Sequence, residues 1–235
     1  MRSAITLAIV LVLAAVPAAA QSFSEGFDDI TTLAGLGWFI DNNSTGAASA
    51  LTNWGPISGT EKAARSGGEF QGNDAVFPAQ AGAPTAYIGD NFNATTGAST
   101  ISDWLLTPAV TMMNGDTLSF WTRTAEGSIW ADRLQVRLSL NGASTNCGTL
   151  AEDVGDFTTL LLDINPTLVG SGYPQTWTQY SITLAGLPGV QTGRFAFRYY
   201  VTNGGPNGAN SNYIGVDTLV FTSTTPVELQ SLQVD

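Results

Sequence analysis

Three carboxylates are placed where they could meet. Glu25 and Asp28 lie close to the start of the chain and Asp217 close to its end, with Asn210 and Asn212 just before it. In a β-sandwich the terminal strands often pair, and that pairing would gather these oxygens. Six to eight oxygen ligands from carboxylates, amides and backbone carbonyls are what Ca²⁺ takes, and hard oxygen donors without imidazole or thiolate suit it. The spacing contains neither an EF-hand loop nor an Asp-Gly repeat. A second chemistry rests on aromatic rings: Trp121, Trp130, Trp177 and Tyr200 stand at positions that could form a platform for sugar rings, with Trp130 and Trp177 the candidate ligand-binding residues. A third would be paired carboxylates acting as acid and base on a glycosidic bond, for which Glu61, Glu69, Asp103 and Asp132 are candidates. Such a pair must stand roughly 5–9 Å apart, and nothing in the spacing brings any two together.

Composition narrows the field. The chain has no histidine, so Ser-His-Asp and Cys-His catalysis and any His-ligated zinc or copper site are excluded. Against 19 Asp and Glu there are only 8 Lys and Arg, a net charge of −11. Nucleic acid is therefore not an expected partner, because phosphate binding needs a basic patch. The single cysteine, Cys147, cannot make an intramolecular disulfide, so the core must hold the fold unaided. It is expected to be a buried or incidental thiol. Residues 1–20 read as a secretory leader: Met1-Arg2 is basic, Ala4 to Val16 is almost wholly apolar, and Ala18-Ala19-Ala20 offers a cleavage site. No later apolar run approaches the roughly 18 residues of a bilayer span. The expected location is therefore secreted or at the cell surface.

The elements that must position these residues are strands. Thr117 to Arg123 alternates, Leu118 and Phe120 against Ser119 and Trp121. Arg133 to Leu140 alternates too, with Leu134, Val136, Leu138 and Leu140 on one face and Gln135, Arg137 and Ser139 on the other, which predicts a strand buried on one side only. Phe195, Phe197, Tyr199 and Val201 share a face in RFAFRYYV. Further strands are predicted at 23–30, 38–40, 86–92, 103–108, 156–164, 176–184 and 213–221. The 26 Gly and 10 Pro supply turns, and no segment after the leader has a capped 3.6-residue period. This pattern predicts an all-β, antiparallel jelly-roll sandwich, one domain over 21–222 with a short tail at 223–235. Residues 47–86 read as a long loop in which Trp54, Phe70 and Phe77 anchor to the body.

The runs SDWLLTPAV, NGDTLSFWTRT and DRLQVRLSLNG, followed by GDFTTLLLDINP, WTQYSITLAGL, GRFAFRYYV and NSNYIGVDTLVF, closely resemble the choice-of-anchor J domain of bacteria, as does the opening GFDDITTLAGLGW. The resemblance covers about residues 23–221. That family is similar to the cleaved-adhesin and MAM-like jelly rolls. The resemblance implies a non-catalytic extracellular sandwich with a structural or adhesive role and a structural metal near the paired termini. Carried over by position, it implies Glu25 and Asp217 as metal ligands, with Asp28 a weaker one. It also implies a C-terminal sorting signal, which residues 222–235 do not show, so release and anchoring both stay open. The expected partner is an extracellular polysaccharide or a surface protein, the alternative reading being a carbohydrate-binding module.

Overall fold

Eleven strands pair into two antiparallel sheets in the computed structural model, which describes residues 22–45 and 71–224. The leader at 1–20, Trp54, Glu61, Glu69, Phe70 and the tail from 225 onward lie outside the described residues. The first sheet has the order β1 (Phe23–Glu25), β11 (Tyr213–Thr222), β6 (Thr117–Thr124), β9 (Thr178–Thr183), with β3 (Ile88–Asn91) also on β11. The second has the order β2 (Phe39–Asn42), β4 (Ser99–Leu106), β10 (Gln191–Gly204), β7 (Leu134–Ser139), β8 (Thr159–Ile164), with β5 (Val110–Met112) also on β10. The two are packed face to face as a jelly-roll sandwich. Among the described residues no helix is long and apolar enough to cross a membrane.

Alternating strands make the core. On β6, Leu118 and Phe120 turn inward while Ser119 and Trp121 stay half-covered. On β10, Phe195, Phe197, Tyr199 and Val201 all face inward and are fully buried. The two sets interdigitate: Phe120 of one sheet meets Phe197 of the other edge-on, with ring centroids 4.9 Å apart. Each such ring contributes on the order of 1.5–3 kcal/mol by leaving water.

Three expectations are corrected. The strand predicted at 23–30 ends at Glu25. Glu25 Oε1 accepts from the Phe27 backbone N–H at 2.7 Å, Phe27 takes a left-handed backbone with φ 53°, and the chain enters a 3-10 helix over Ile30–Leu36. Asp29 caps that helix by accepting from the Thr31 N–H at 3.0 Å, and Gly37 closes it at φ 86°. Secondly, β5 was not foreseen; three residues are too few to show an alternation, and its pairing with Gln191–Gly193 is what makes it a strand. Thirdly, β7 is buried on both faces. Gln135 and Ser139 are as enclosed as Leu134 and Val136, because the connection after β7 folds back over the outer side of the second sheet.

That cover is a small second core of Trp104, Leu106, Cys147, Phe157 and Ala196. Beside it Arg198 lies between two rings, its guanidinium carbon 4.7 Å from the Trp104 centroid and 3.9 Å from that of Tyr200. It donates to Ser102 Oγ at 3.0 Å, to Gln135 Oε1 at 3.3 Å and to the Ala151 carbonyl. Burial lowers the Arg198 pKa to about 10. Burial likewise pushes the Cys147 thiol well above its ordinary range. As the thiolate is the reactive form, the native protein is expected to give no reaction with a thiol reagent such as DTNB, and one equivalent after unfolding in urea.

Candidate functional site

Antiparallel pairing of β1 with β11 sets Phe23 opposite Phe221 and Glu25 opposite Leu219, so the terminal strands do meet. Glu25, Asp28 and Asp217 line one cleft of about 230 Å³, together with Gly26, Gly82 and Thr218. Burial pushes the Glu25 carboxyl up, the Phe27 N–H opposes this, and the charge of Asp28 adds to the rise. Asp217 is fully enclosed. A register shift between Asp217 and Val220 marks a bulge on β11 against β6, a device that re-aims a side chain. Its Oδ2 accepts from the Gln80 and Ala81 N–H groups at 2.8 and 3.2 Å, and its Oδ1 from the Thr218 N–H at 2.5 Å, the Thr218 hydroxyl being nearer to Gln80 Oε1, at 2.7 Å. A carboxylate has about four acceptor positions, so protein donors occupy most of those of Asp217. Its visible work is to hold the 78–82 loop against the sheet. Burial still raises its pKa, against the pull of those donors. Asn210 and Asn212 are not part of this cleft: they precede Tyr213, at the opposite end of β11 from Leu219. Among the described residues no group of three or more His, Cys, Asp or Glu side chains is gathered to hold a metal ion.

Trp177 lies in a packed aromatic cluster on the outer side of the first sheet. Its ring meets Phe77 and Tyr87 edge-on, each at 5.6 Å, and its indole N–H donates to the Pro78 carbonyl at 2.8 Å. Phe77 stacks on Tyr87 at 5.1 Å, and Arg123 caps Phe77 at 4.5 Å. The expected anchoring by Phe77 is thus present. The cluster needs Gly215 beneath it: a Cβ there would stand 2.9–3.0 Å from Tyr87, Phe77 and Trp177. Trp121 is half-buried and Tyr200 lies under Arg198, so neither extends a platform with Trp177.

Trp130 is placed differently. It is 47% exposed and walls a cleft of about 210 Å³ with Phe92, Pro206, Ser211 and Asn212. The loop that carries it is braced from behind. Ser128 Oγ donates to the Trp130 carbonyl at 3.1 Å, Asn212 Nδ2 donates to Ser128 Oγ at 2.9 Å, and the Asn212 N–H donates to Asp132 Oδ1 at 2.7 Å. Among the described residues no charged side chain lines this cleft. Ile129 and Val169 are also exposed, at 76% and 53%, and Gly170 packs on the Ile129 carbonyl, where a Cβ would come within 2.4 Å. Phe92 was missed as a site residue. The one sequence signal was the polar Gly-rich run NGGPNGANSN that supplies the opposite wall.

Asp103 and Asp132, considered above as hydrolytic acids, are both fully enclosed, so neither can reach a glycosidic bond in solvent. Asp132 accepts from Tyr199 OH at 2.5 Å and from Thr124 Oγ1 at 2.7 Å as well as from Asn212. Burial raises its pKa and the three donors oppose this.

No protein-family model matches the chain, and no curated protein matches it. Among solved structures it is similar to the K1 cleaved adhesin domain of Lys-gingipain from Porphyromonas gingivalis W83, at 16% identity and a TM-score of 0.48, over 88% of this chain and 100% of that one. The K3 cleaved adhesin domain of the same protein gives 18% identity and a TM-score of 0.48 over 86% and 99%. The carbohydrate-binding module TmCBM61, solved with β-1,4-galactotriose, gives 10% identity and a TM-score of 0.34 over 64% and 78%.

Proposed function

We propose that the chain is an extracellular, non-enzymatic binding module with an adhesive role, and that it holds a neutral saccharide against Trp130. The observation that carries this reading is a large aromatic ring left about half exposed over a cleft whose walls are braced by hydrogen bonds. Sites for small ligands are typically concave and apolar with a few fixed polar groups. The apolar face of a sugar ring suits the indole, and the Ser211–Asn212 wall offers polar groups to its hydroxyls. The ligand is neutral because the described lining of the cleft is uncharged and the chain carries a net −11, which repels uronates and sulfates. In calorimetric titration with neutral oligosaccharides, Trp130→Ala is expected to weaken binding at least tenfold, about 1.4 kcal/mol. Trp177→Ala is expected to lower the melting temperature with little change in affinity. Equal affinity in wild type and Trp130→Ala would remove this reading.

A structural calcium ion in the terminal-strand cleft is the second part of the proposal. Its support is the convergence of Glu25 and Asp28, whose charges oppose each other at a half-buried site. These two would supply the charge, with Asp217 holding the adjoining loop. Its check is a thermal melt in calcium and in chelator: the calcium-dependent rise should shrink in Glu25→Ala.

A further inference from the structure

Two rows of side chains face each other inside one end of the sandwich. In the first sheet Asp90, Ile214 and Thr124 stand side by side on β3, β11 and β6. In the second, Asn42, Asp103 and Tyr199 do so on β2, β4 and β10. Directly opposed residues of an antiparallel pair share a face. Ile214 and Tyr199 belong to the main core, so both whole rows point inward. The half of the rows nearer the middle of the sheets is closed by Asp132, which takes a hydroxyl from Thr124 of one sheet and from Tyr199 of the other.

The other half holds two carboxyl groups. Asp90 is fully enclosed; its Oδ1 accepts from the Asn91 N–H at 2.6 Å, while Oδ2 has no hydrogen-bond partner. Asp103 is its counterpart in the opposite sheet, likewise fully enclosed. Burial, then the charge of Asp103, push the Asp90 carboxyl well above its usual range, and Asp132 adds to this. An ionised carboxylate buried without a positive partner is strongly disfavoured. The geometry points to a divalent, oxygen-seeking cation, with calcium the fitting choice, seated between Asp90 and Asp103 and tying the two sheets together at this end. The Asn42 amide shares the inward face opposite Asp103 and is almost fully buried; its Nδ2 donates to the Ala94 carbonyl and its Oδ1, an oxygen with two lone pairs, accepts from the Ser44 N–H, both at 2.9 Å. Two carboxylates completed by amide and backbone oxygens suit calcium. This site uses none of the residues of the terminal-strand cleft or of the Trp130 cleft.

The test strips the protein of metal and adds calcium chloride alone, read by calorimetric titration and by thermal melting. Wild type is expected to bind, and calcium at a hundredfold over its Kd to raise the melt by about 5–10 °C. Asp90→Asn keeps the side-chain shape and removes the charge. It is expected to lose one equivalent of binding and to melt higher than wild type in chelator. Asp103→Asn should lose the same equivalent, which covers the case that Asp90→Asn does not fold. Glu25→Ala should keep it, so that this site and the terminal-strand cleft fail or stand separately. The same stoichiometry and calcium-dependent shift in Asp90→Asn as in wild type, or no calcium binding at all, would overturn the site and leave a proton as what the buried carboxyl carries.

Discussion

Asp132→Ala is expected to lower stability by about 2–5 kcal/mol, because it takes the acceptor away from buried hydrogen-bond donors. The loss has an identifiable origin. The carboxylate accepts from Tyr199 OH, Thr124 Oγ1 and the Asn212 N–H inside the core; alanine strands Tyr199 OH and the Asn212 N–H, while the Thr124 hydroxyl can still turn to the Tyr213 carbonyl at 3.0 Å. An unsatisfied buried donor costs roughly 1–3 kcal/mol. Because Thr124 and Tyr199 belong to different sheets, the change loosens the sandwich itself. At about 2–4 °C per kcal/mol for a domain of this size, the melt should fall by about 4–20 °C. Asp132→Asn keeps one oxygen and should lose less. The comparison is Asp163→Ala, which breaks a largely covered bidentate pair with Arg133 and releases the Gln135 amide, and should cost less, about 1–2 kcal/mol. Urea unfolding of the three variants checks the order; an Asp132→Ala loss no larger than that of Asp163→Ala would sink the bridging role. The same variant should weaken saccharide binding, because the Asn212 N–H that braces the Trp130 cleft loses its anchor.

Trp104→Ala should have a comparable effect by another route, about 3–5 kcal/mol for truncating a buried tryptophan. Trp104 is fully enclosed on the outer side of the second sheet, its indole N–H donates to Ser102 Oγ at 3.0 Å, and its ring contacts Phe157 at 5.8 Å and Arg198 at 4.7 Å. Removing it hollows the second core and strips one face from a buried guanidinium. The cover over β7 should then open locally well before global unfolding. Cys147, in the same cluster, reports this: the native variant should react with DTNB under conditions where wild type does not. A destabilised Trp104→Ala with Cys147 still protected would mean that the cover is held by other contacts.

Much of the frame was legible along the chain. The period-2 runs at Thr117–Thr124 and Arg194–Val201 carry their inward faces in plain order, because one side of each packs on the other sheet and the other does not. The arrangement at Glu25 and Asp217 was legible in part. Their meeting follows from strand pairing, whereas the filling of Asp217 by donors from the 78–82 loop follows from a bulge that no local pattern shows. Trp130 and Trp177 look alike as candidate ring platforms in sequence, the one in a loop and the other at the start of a predicted strand. One is covered because Phe77 and Tyr87 come to it from elsewhere over a glycine of β11; the other is left half-open by the described residues around it.

The burial of Gln135, Ser139 and Arg198 was illegible for the same reason, since their alternation is that of a solvent-facing side and only the returning segment around Cys147 turns it into an interior. Composition and periodicity by themselves determined the class of fold, the exclusion of imidazole chemistry and which residues face the main core, because those depend on near neighbours and on one apolar layer. The tertiary structure alone decided which carboxylates and which rings meet water. That depends on chain segments far apart in sequence, and the cost of leaving a charge or a donor unmatched is set by what those segments bring against it.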